Sequence, residues 1–282
     1  MSKSAADHVV AMLRAQGAAL AAHEAGARRG TDPEELRRMR TAVRRLRAVL
    51  REAPSVCGRD GERLRRELQW LGAVLGPVRD LDVLGDYLRD ELASLPDQEA
   101  DAVRRVLERL EAQRTRARND AAAALTSSRY TRLRKGLAKA LGHARPADDD
   151  VSLLARRRFK KLRKAVRALP SKPSDEQLHA VRIRVKRARY AAELAEATVG
   201  RPAKRFAKLA SRVQDILGEH QDAVVAEERL RALGTSGRDG LDSSAMDGLL
   251  RRQRRRRRAA WAAFQEQWPK LERRGRKALQ RS

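Results

Sequence analysis

Residues 36–47 read LRRMRTAVRRLR, and residues 178–189 read LHAVRIRVKRAR. Leu36, Arg40, Val43, Arg45 and Arg47 recur as Leu178, Arg182, Val185, Arg187 and Arg189, while Met39 and Arg44 are answered by Val181 and Lys186. The offset is 142 positions, and it holds without a gap further on, where Leu75-Gly76 with Asp80 returns as Leu217-Gly218 with Asp222. A chain that repeats itself this way is expected to fold as two similar halves. A period this long argues against a solenoid, whose repeats run to roughly 20–50 residues. What is repeated is a helix with a cationic stripe, and a row of fixed positive charge calls for a polyanion.

The periodicity of each stripe carries the argument. On an ideal helix Leu36, Met39, Val43, Leu46 and Leu50 share one face, and Arg37, Arg40, Arg44, Arg47 and Arg51 form a continuous row on another. Arg38 and Arg45 lie on the opposite flank of the apolar face. The second copy places Leu178, Val181, Val185 and Ala188 toward a core and sets His179, Arg182, Lys186 and Arg189 at the spacing of the first row. Like charges at this spacing repel by a few tenths of a kcal/mol per pair. A helix selected only for solubility mixes acids with bases, as residues 99–118 do. Guanidinium groups suit a phosphate chain because each grips oxygens bidentately and keeps its charge. Near phosphate the charged form of His179 would be favoured, adding affinity at mildly acidic pH.

Composition agrees with an all-α fold. Aromatic residues make up 3% of the 282 residues, so Ala and Leu must fill the core, and no run of alternating β-branched residues suggests a sheet. The formal charge is +27, unevenly spread: residues 1–150 hold 29 basic and 23 acidic residues, and residues 151–282 hold 35 and 14. Cys57 is the only cysteine, which excludes an internal disulfide and a cysteine-rich metal site and fits a reducing cytoplasm. No segment approaches the roughly 20 apolar residues of a spanning helix, and no membrane partner is expected.

Helix punctuation divides the chain. A first helix over 4–27 is followed by Asp32-Pro33-Glu34-Glu35, an N-cap with proline at the first helical position and acids in the first turn, opening a helix to about Ala53. Gly76-Pro77 is expected to break or kink the next helix, begun near residue 60, into two. Pro96-Asp97 opens a long helix to about Leu125, and Ser127-Ser128 caps another to about Leu141. In the second half, helices are expected over 151–169, over 175–197 behind a capping box at Ser174–Gln177, from 202 to Gly218, on to about Leu233, and over 245–267 with Pro269 as a kink. The expected organisation is 1–141 as the first helical-bundle half, 142–150 as a linker, and 151–282 as the second half.

The segments LRRMRTAVRRLRAVL (36–50), LGPVRDLDVL (75–84), LHAVRIRVKRARYAAEL (178–194) and VQDILGEHQDAVVAEERL (213–230) resemble the CHAD domain, the conserved histidine α-helical domain. The resemblance implies two pseudo-symmetric antiparallel helical bundles, from an internal duplication, around a basic central groove or pore. It also implies binding of inorganic polyphosphate and association with polyphosphate granules in the cytoplasm. Carried over by position, the ligands would be Arg40, Arg44, Arg45 and Arg47 with His179, Arg182, Lys186, Arg187 and Arg189. The family's first signature histidine falls at Arg37, where arginine keeps the charge and the reach to phosphate. Many relatives carry an N-terminal triphosphatase domain of the CYTH type. This chain begins close to its first helix and shows no ExExK motif, so it reads as a stand-alone binding module.

Other features are weaker. Asp80, Asp82 and Asp86 could hold Mg²⁺, but their place in a helix beside arginines favours ion pairing. The run Arg251-Arg252-Gln253-Arg254 to Arg258 could be a nucleic-acid patch or a solvated helix face. Trp70, Trp261 and Trp268 have helix-core spacing. Motifs for a phosphate-cradling loop, a dinucleotide fold, a zinc protease or a serine hydrolase are missing, so no cofactor, metal or catalytic residue is expected, and the chain reads as a non-enzyme. The alternative is a nucleic-acid-binding protein that contacts the phosphate backbone, since weak nonspecific attraction to DNA or RNA accompanies any such charge. Scarce aromatics argue against base stacking.

Overall fold

The computed structural model describes residues 5–92, 97–144, 150–235 and 243–279, and among these every regular element is helical. In chain order the helices are α1 (Ala5–Arg29), α2 (Pro33–Glu52), α3 (Asp60–Leu92), α4 (Asp97–Thr126), α5 (Ser128–His143), α6 (Val151–Arg167), α7 (Asp175–Leu194), α8 (Glu196–Val199), α9 (Arg201–Thr235) and α10 (Ser243–Leu279), with a 3₁₀ turn at Pro54–Cys57.

Local chemistry accounts for the starts and stops. Asp32 caps α2 by accepting from Glu34 N–H at 2.8 Å. Ser174 and Gln177 close the reciprocal capping box at the start of α7. The 142-residue shift maps α2 onto α7 and the 3₁₀ turn onto α8, bound for bound. It also maps Gly58 onto Gly200, and both hold positive φ, +50° and +73°. A left-handed residue at this point turns the chain from one helix into the next, which glycine does without steric cost.

The helices run on through three points where the sequence suggested a break or a kink. Gly76-Pro77 lies inside α3, Gly218 inside α9 and Pro269 inside α10. Proline removes one helical hydrogen bond and glycine weakens propensity, but both costs are local. Flanking residues are deeply buried on both sides of each site: Leu75 and Val78, Leu217 and Ala223, Phe264 and Leu271. Tertiary burial of a long apolar face therefore keeps each helix whole. The expected helix over 175–197 is instead α7 and the short α8, joined at Ala195. Most of the 234–243 loop and residues 145–149 of the linker lie outside the described residues.

The helices pack in chain order as α1 on α2, α2 on α3, α3 on α4, then α6 on α7, α7 on α9 and α9 on α10. Contacts between the halves include α2 with α7, α3 with α9, α4 with α10, and α1 with α7 and α8. One apolar cluster runs from Val9 and Leu13 of α1 through Met39, Leu46 and Leu68 to Val185, Phe206 and Leu271. A second joins Leu81, Leu84 and Leu88 of α3, Val103 and Val106 of α4, Ala226 and Leu230 of α9 and Leu249 of α10. Trp70 lies under the Arg129 guanidinium at 4.3 Å, and Trp261, Phe264 and Trp268 stack in series at 5.6 and 6.1 Å. Among the described residues, no helix is long and apolar enough to cross a membrane.

Candidate functional site

Helices α2 and α7 each bury one face: Leu36, Met39, Val43 and Leu46 on the first, Leu178, Val181, Val185 and Ala188 on the second. The expected core stripes are therefore the observed ones. With those faces inward and the helices in contact, the cationic rows meet along the seam between the halves.

Charge interactions define the order along that seam. Arg182 is acted on by Arg44 and Arg40 of α2, and Lys186 by Arg44, Arg51 and Arg47. Farther along, Arg51 acts on Arg187. The pairings advance in the same sense along both helices, so α2 and α7 present two rows side by side. Burial and the surrounding arginines bring the Lys186 ammonium down to about 8. Burial also works against the charge of Arg47, with Arg65 of α3 and Arg51 adding to it.

The seam is rich in donors without protein acceptors. The Nε atoms of Arg44, Arg45, Arg182 and Arg187 and Nη2 of Arg51 are buried and make no hydrogen bond to the protein. Buried polar atoms almost always find a partner, so the free Nε atoms of Arg44 and Arg182 in the seam, with those at its edges, are a departure from the rule. No hydrogen-bond or ion-pair partner for Lys186 exists among the described residues either.

At its N-terminal end the seam opens into a cavity of about 270 Å³ lined by Arg40, Asp80, Tyr87, His179, Arg182, Gln221, Asp222 and Arg256, among others. Arg40 donates from one nitrogen to the Gly76 carbonyl oxygen at 2.6 Å and to Asp80 at 3.3 Å. His179 Nδ1 lies 2.5 Å from the Gln221 amide oxygen, which accepts from the ring. Asp222, the counterpart of Asp80, has its carboxyl raised by burial and by Glu219 and Asp80, against the pull of Arg182 and Arg256. Gly76 and Gly218 face Arg40 and Arg182: a Cβ on either would stand 3.8 Å from the nearest guanidinium nitrogen.

Not every expected residue belongs to this row. Arg37 is more than half exposed and is held by Glu34 through two hydrogen bonds of 2.5 and 2.6 Å. It is occupied at the start of α2, because the acids that suit a first turn stand one helical turn before it. Arg189 is buried at 6% exposure, donates to Ser211 at 2.9 Å, lies 3.1 Å from Glu193 and covers the Tyr190 ring. It serves the interior between α7 and α9. Arg51 shares Glu52 with Arg158 of α6, each nitrogen 2.7 Å from a carboxylate oxygen whose side chain is wholly buried. Arg45 and Arg187 stand on the flanks, near Glu193 and Glu52 respectively.

Periodicity could not reveal Gln221, Tyr87, Arg65, Arg158 or Arg256, which come to the seam from α9, α3, α6 and α10. Only Gln221 had a local signal, beside the repeated Asp222. The Arg251–Arg258 run is largely spent on acids: Arg252 on Glu91, Arg254 and Arg257 on Glu227, Arg257 also on Asp175, and Arg256 on Glu219. Asp80, Asp82 and Asp86 diverge, toward Arg40, toward Arg114 and Arg118, and toward Arg89. Among the described residues, no group of three potential ligands could hold a metal ion.

A helical chain with two matched cationic helices meeting at one seam defines the class, and comparison with known proteins supplies the family. The CHAD domain matches residues 11–231, and the chain belongs to that family. It is 32% identical over 226 residues to uncharacterized proteins Rv2226 and MT2285 of two Mycobacterium tuberculosis strains, covering 73% of this chain and 42% of each relative. The match thus spans about two fifths of the length of those relatives. Among solved structures, PptA from Streptomyces chartreusis superposes with a TM-score of 0.75 at 25% identity, covering 94% of this chain and 99% of that one. The CHAD domain from the plant Ricinus communis superposes with a TM-score of 0.69 at 25% identity, covering 100% and 93%.

Proposed function

We propose that this chain binds inorganic polyphosphate, without turning it over, in the groove between α2 and α7. The observation that carries the reading is the set of buried guanidinium nitrogens without protein acceptors: Nε of Arg44 and Arg182 in the seam, with Nε of Arg45 and Arg187 and Nη2 of Arg51 at its edges. Phosphate oxygens are strong multiple acceptors that match guanidinium forks. The charges that act most on Lys186 are all arginines, so a polyanion entering there relieves repulsion that the fold otherwise carries. A linear chain suits two parallel rows better than a compact anion does, because successive turns rise by about 5.4 Å and offer a new donor at each. Membership of the CHAD family supports the same ligand. Binding to a polymer in this way would place the protein on polyphosphate granules.

The test is a titration of polyphosphates of defined length, and of DNA of matched charge, at physiological salt with free phosphate monitored. Affinity is expected to grow with polyphosphate length and exceed that for DNA, with no phosphate released. Equal affinity for DNA would replace the reading with general phosphate-backbone binding. Release of phosphate would make the protein an enzyme.

A further inference from the structure

The cavity at the head of the seam differs in chemistry from the arginine rows that lead into it. Its walls are paired by the 142-residue repeat: Arg40 with Arg182, Asp80 with Asp222, Val83 with Val225 and Leu84 with Ala226. Asp80, Val83, Leu84 and Tyr87 follow i, i+3, i+4 and i+7 along α3, so one helix face presents them together. Carboxylates and apolar side chains do not suit a further phosphate, because a carboxylate only accepts hydrogen bonds and repels another anion. Asp80 is answered by Arg40 at 3.3 Å, whereas the half-buried Asp222 carboxylate accepts no hydrogen bond from a described residue. The repeat fails at three places in the same walls: Tyr87, His179 and Gln221 stand where the other half has Arg229, Arg37 and Arg79. His179 Nδ1 lies 2.5 Å from the Gln221 amide oxygen, which leaves the Gln221 amide nitrogen without a described acceptor. The Tyr87 ring carries the Arg256 guanidinium at 4.4 Å. Each exchange puts an aromatic ring or an amide in place of an arginine, so the cavity is one-sided, whereas a phosphate chain is alike from both ends. Its volume of about 270 Å³ far exceeds the roughly 30 Å³ of one water and nears the roughly 300 Å³ of the smaller ligand pockets.

We propose that this cavity takes the nucleoside of a nucleoside polyphosphate whose phosphates run into the seam from Arg40 and Arg182 toward Arg44. This rests on the anion-binding reading of the seam, because the phosphates hold the ligand there. Ribose hydroxyls are donors, and a carboxylate is the acceptor that suits them. Asp222 supplies the free acceptor and Asp80 a second one across the cavity. The apolar side chains Val83, Leu84, Val225 and Ala226 cover the base, and the Gln221 amide nitrogen donates to one of its ring acceptors. Two kinds of ligand then share one seam. A nucleotide seated in the cavity occupies Arg40 and Arg182 and so displaces polyphosphate from that end of the groove.

The experiment compares adenosine and guanosine 5′-triphosphates with tripolyphosphate by calorimetric titration of the full chain at one salt concentration. At least one nucleotide is expected to bind about tenfold tighter than tripolyphosphate despite its lower charge, the scale of one hydrogen bond to a charged group. Its 2′,3′-dideoxy form should fall back toward tripolyphosphate. Asp222→Ala should move the two ligands in opposite directions, weakening the nucleotide and strengthening tripolyphosphate, because it removes an acceptor and a negative charge together. Ala226→Leu, checked for unchanged helicity, copies Leu84 of the other half and narrows the cavity, so it should weaken the nucleotide alone. Neither nucleotide binding tighter than tripolyphosphate, or Asp222→Ala shifting both ligands the same way, overturns the proposal. Long-chain polyphosphate is titrated in parallel. If it binds and the nucleotides show no advantage, only this inference fails; if neither it nor tripolyphosphate binds, the functional reading fails instead.

Discussion

Arg40 donates to the carbonyl oxygen of Gly76 at 2.6 Å, and its counterpart Arg182 lies against Gly218 with the same 3.8 Å clearance for an added Cβ. The glycine that seemed to punctuate each helix is thus a shelf on which an arginine rests. Neither glycine has positive φ, so the shelf is a matter of side-chain space. Gly218→Ala is expected to fit at ordinary contact distance and to stabilise the chain by up to about 1 kcal/mol through helix propensity. Gly218→Leu should displace the Arg182 guanidinium and weaken polyphosphate binding about tenfold, equivalent to ~1.4 kcal/mol. Thermal unfolding and calorimetric titration of both variants check the pair.

Arg37 and Arg44 belong to one row on the helical wheel but differ in their surroundings. Arg37 is exposed and held by Glu34, whereas the Arg44 Nε is buried without an acceptor. Arg37→Ala should change polyphosphate affinity by less than about twofold. Arg44→Ala should cost about tenfold or more, the range of a charge-assisted hydrogen bond. Titrations at one fixed salt concentration decide it; equal losses would place the ligand on the outer surface of α2.

Acidity gives opposite signs for binding and for stability. The Lys186 ammonium is brought down to about 8 by burial first, then by Arg182, Arg44, Arg51 and Arg47. A bound polyanion favours the charged form, so binding takes up a proton and affinity should fall as pH rises beyond about 8. In the free chain the unfolded lysine still holds its proton between about 8 and 10.5 while the folded one has lost it. The Lys186 contribution to stability therefore rises with pH across that window and is lost as pH falls through 8. Lys186→Arg should flatten both trends, which affinity measurements and urea titrations from pH 7 to pH 10 would show.

Glu52 ties α2 to α6 by holding Arg51 and Arg158 on one wholly buried carboxylate. Glu52→Gln leaves two half-buried guanidinium groups facing a neutral amide. The expected loss is about 3–5 kcal/mol, the cost of uncompensated buried charge. Urea denaturation measures it, and a loss below 1 kcal/mol would mean that solvent reaches the pair.

Gly275 seats the end of α10 on Phe159, where a Cβ would come within 2.2 Å of the ring. Phe159 is fully buried and packs edge-on against Phe206 at 5.4 Å, so it has nowhere to retreat. Gly275→Ala should cost about 1–3 kcal/mol through overpacking despite the better helix former. Thermal denaturation would register the change.

The helices were legible wherever local chemistry decides. Asp32-Pro33 and the Ser174–Gln177 box mark the starts of α2 and α7 because capping uses only neighbours in sequence. The cationic rows were legible for the same reason, since a stripe is a property of one helix. The continuity of the helices through Gly76-Pro77, Gly218 and Pro269 was not legible, because it depends on burial against distant helices. The fate of single arginines was equally hidden. Nothing near Arg189 in sequence announces Ser211, and nothing near Arg252 announces Glu91. A wheel gives the direction in which a charge points, and the identity of what waits there comes only from the packing of other helices.

The apolar cluster that continues from Val9 to Leu271 clamps two mutually repelling rows together, like a spring held closed by its own mounting. Dilute buffer should therefore be the harshest medium for the free chain, and simple salts should strengthen it by shielding the rows, reversing the usual pattern for a surface held by ion pairs. Sulfate or pyrophosphate should do so at lower concentration than chloride. The melting temperature would then rise with ionic strength in the empty protein and level off once a polyanion occupies the clamp.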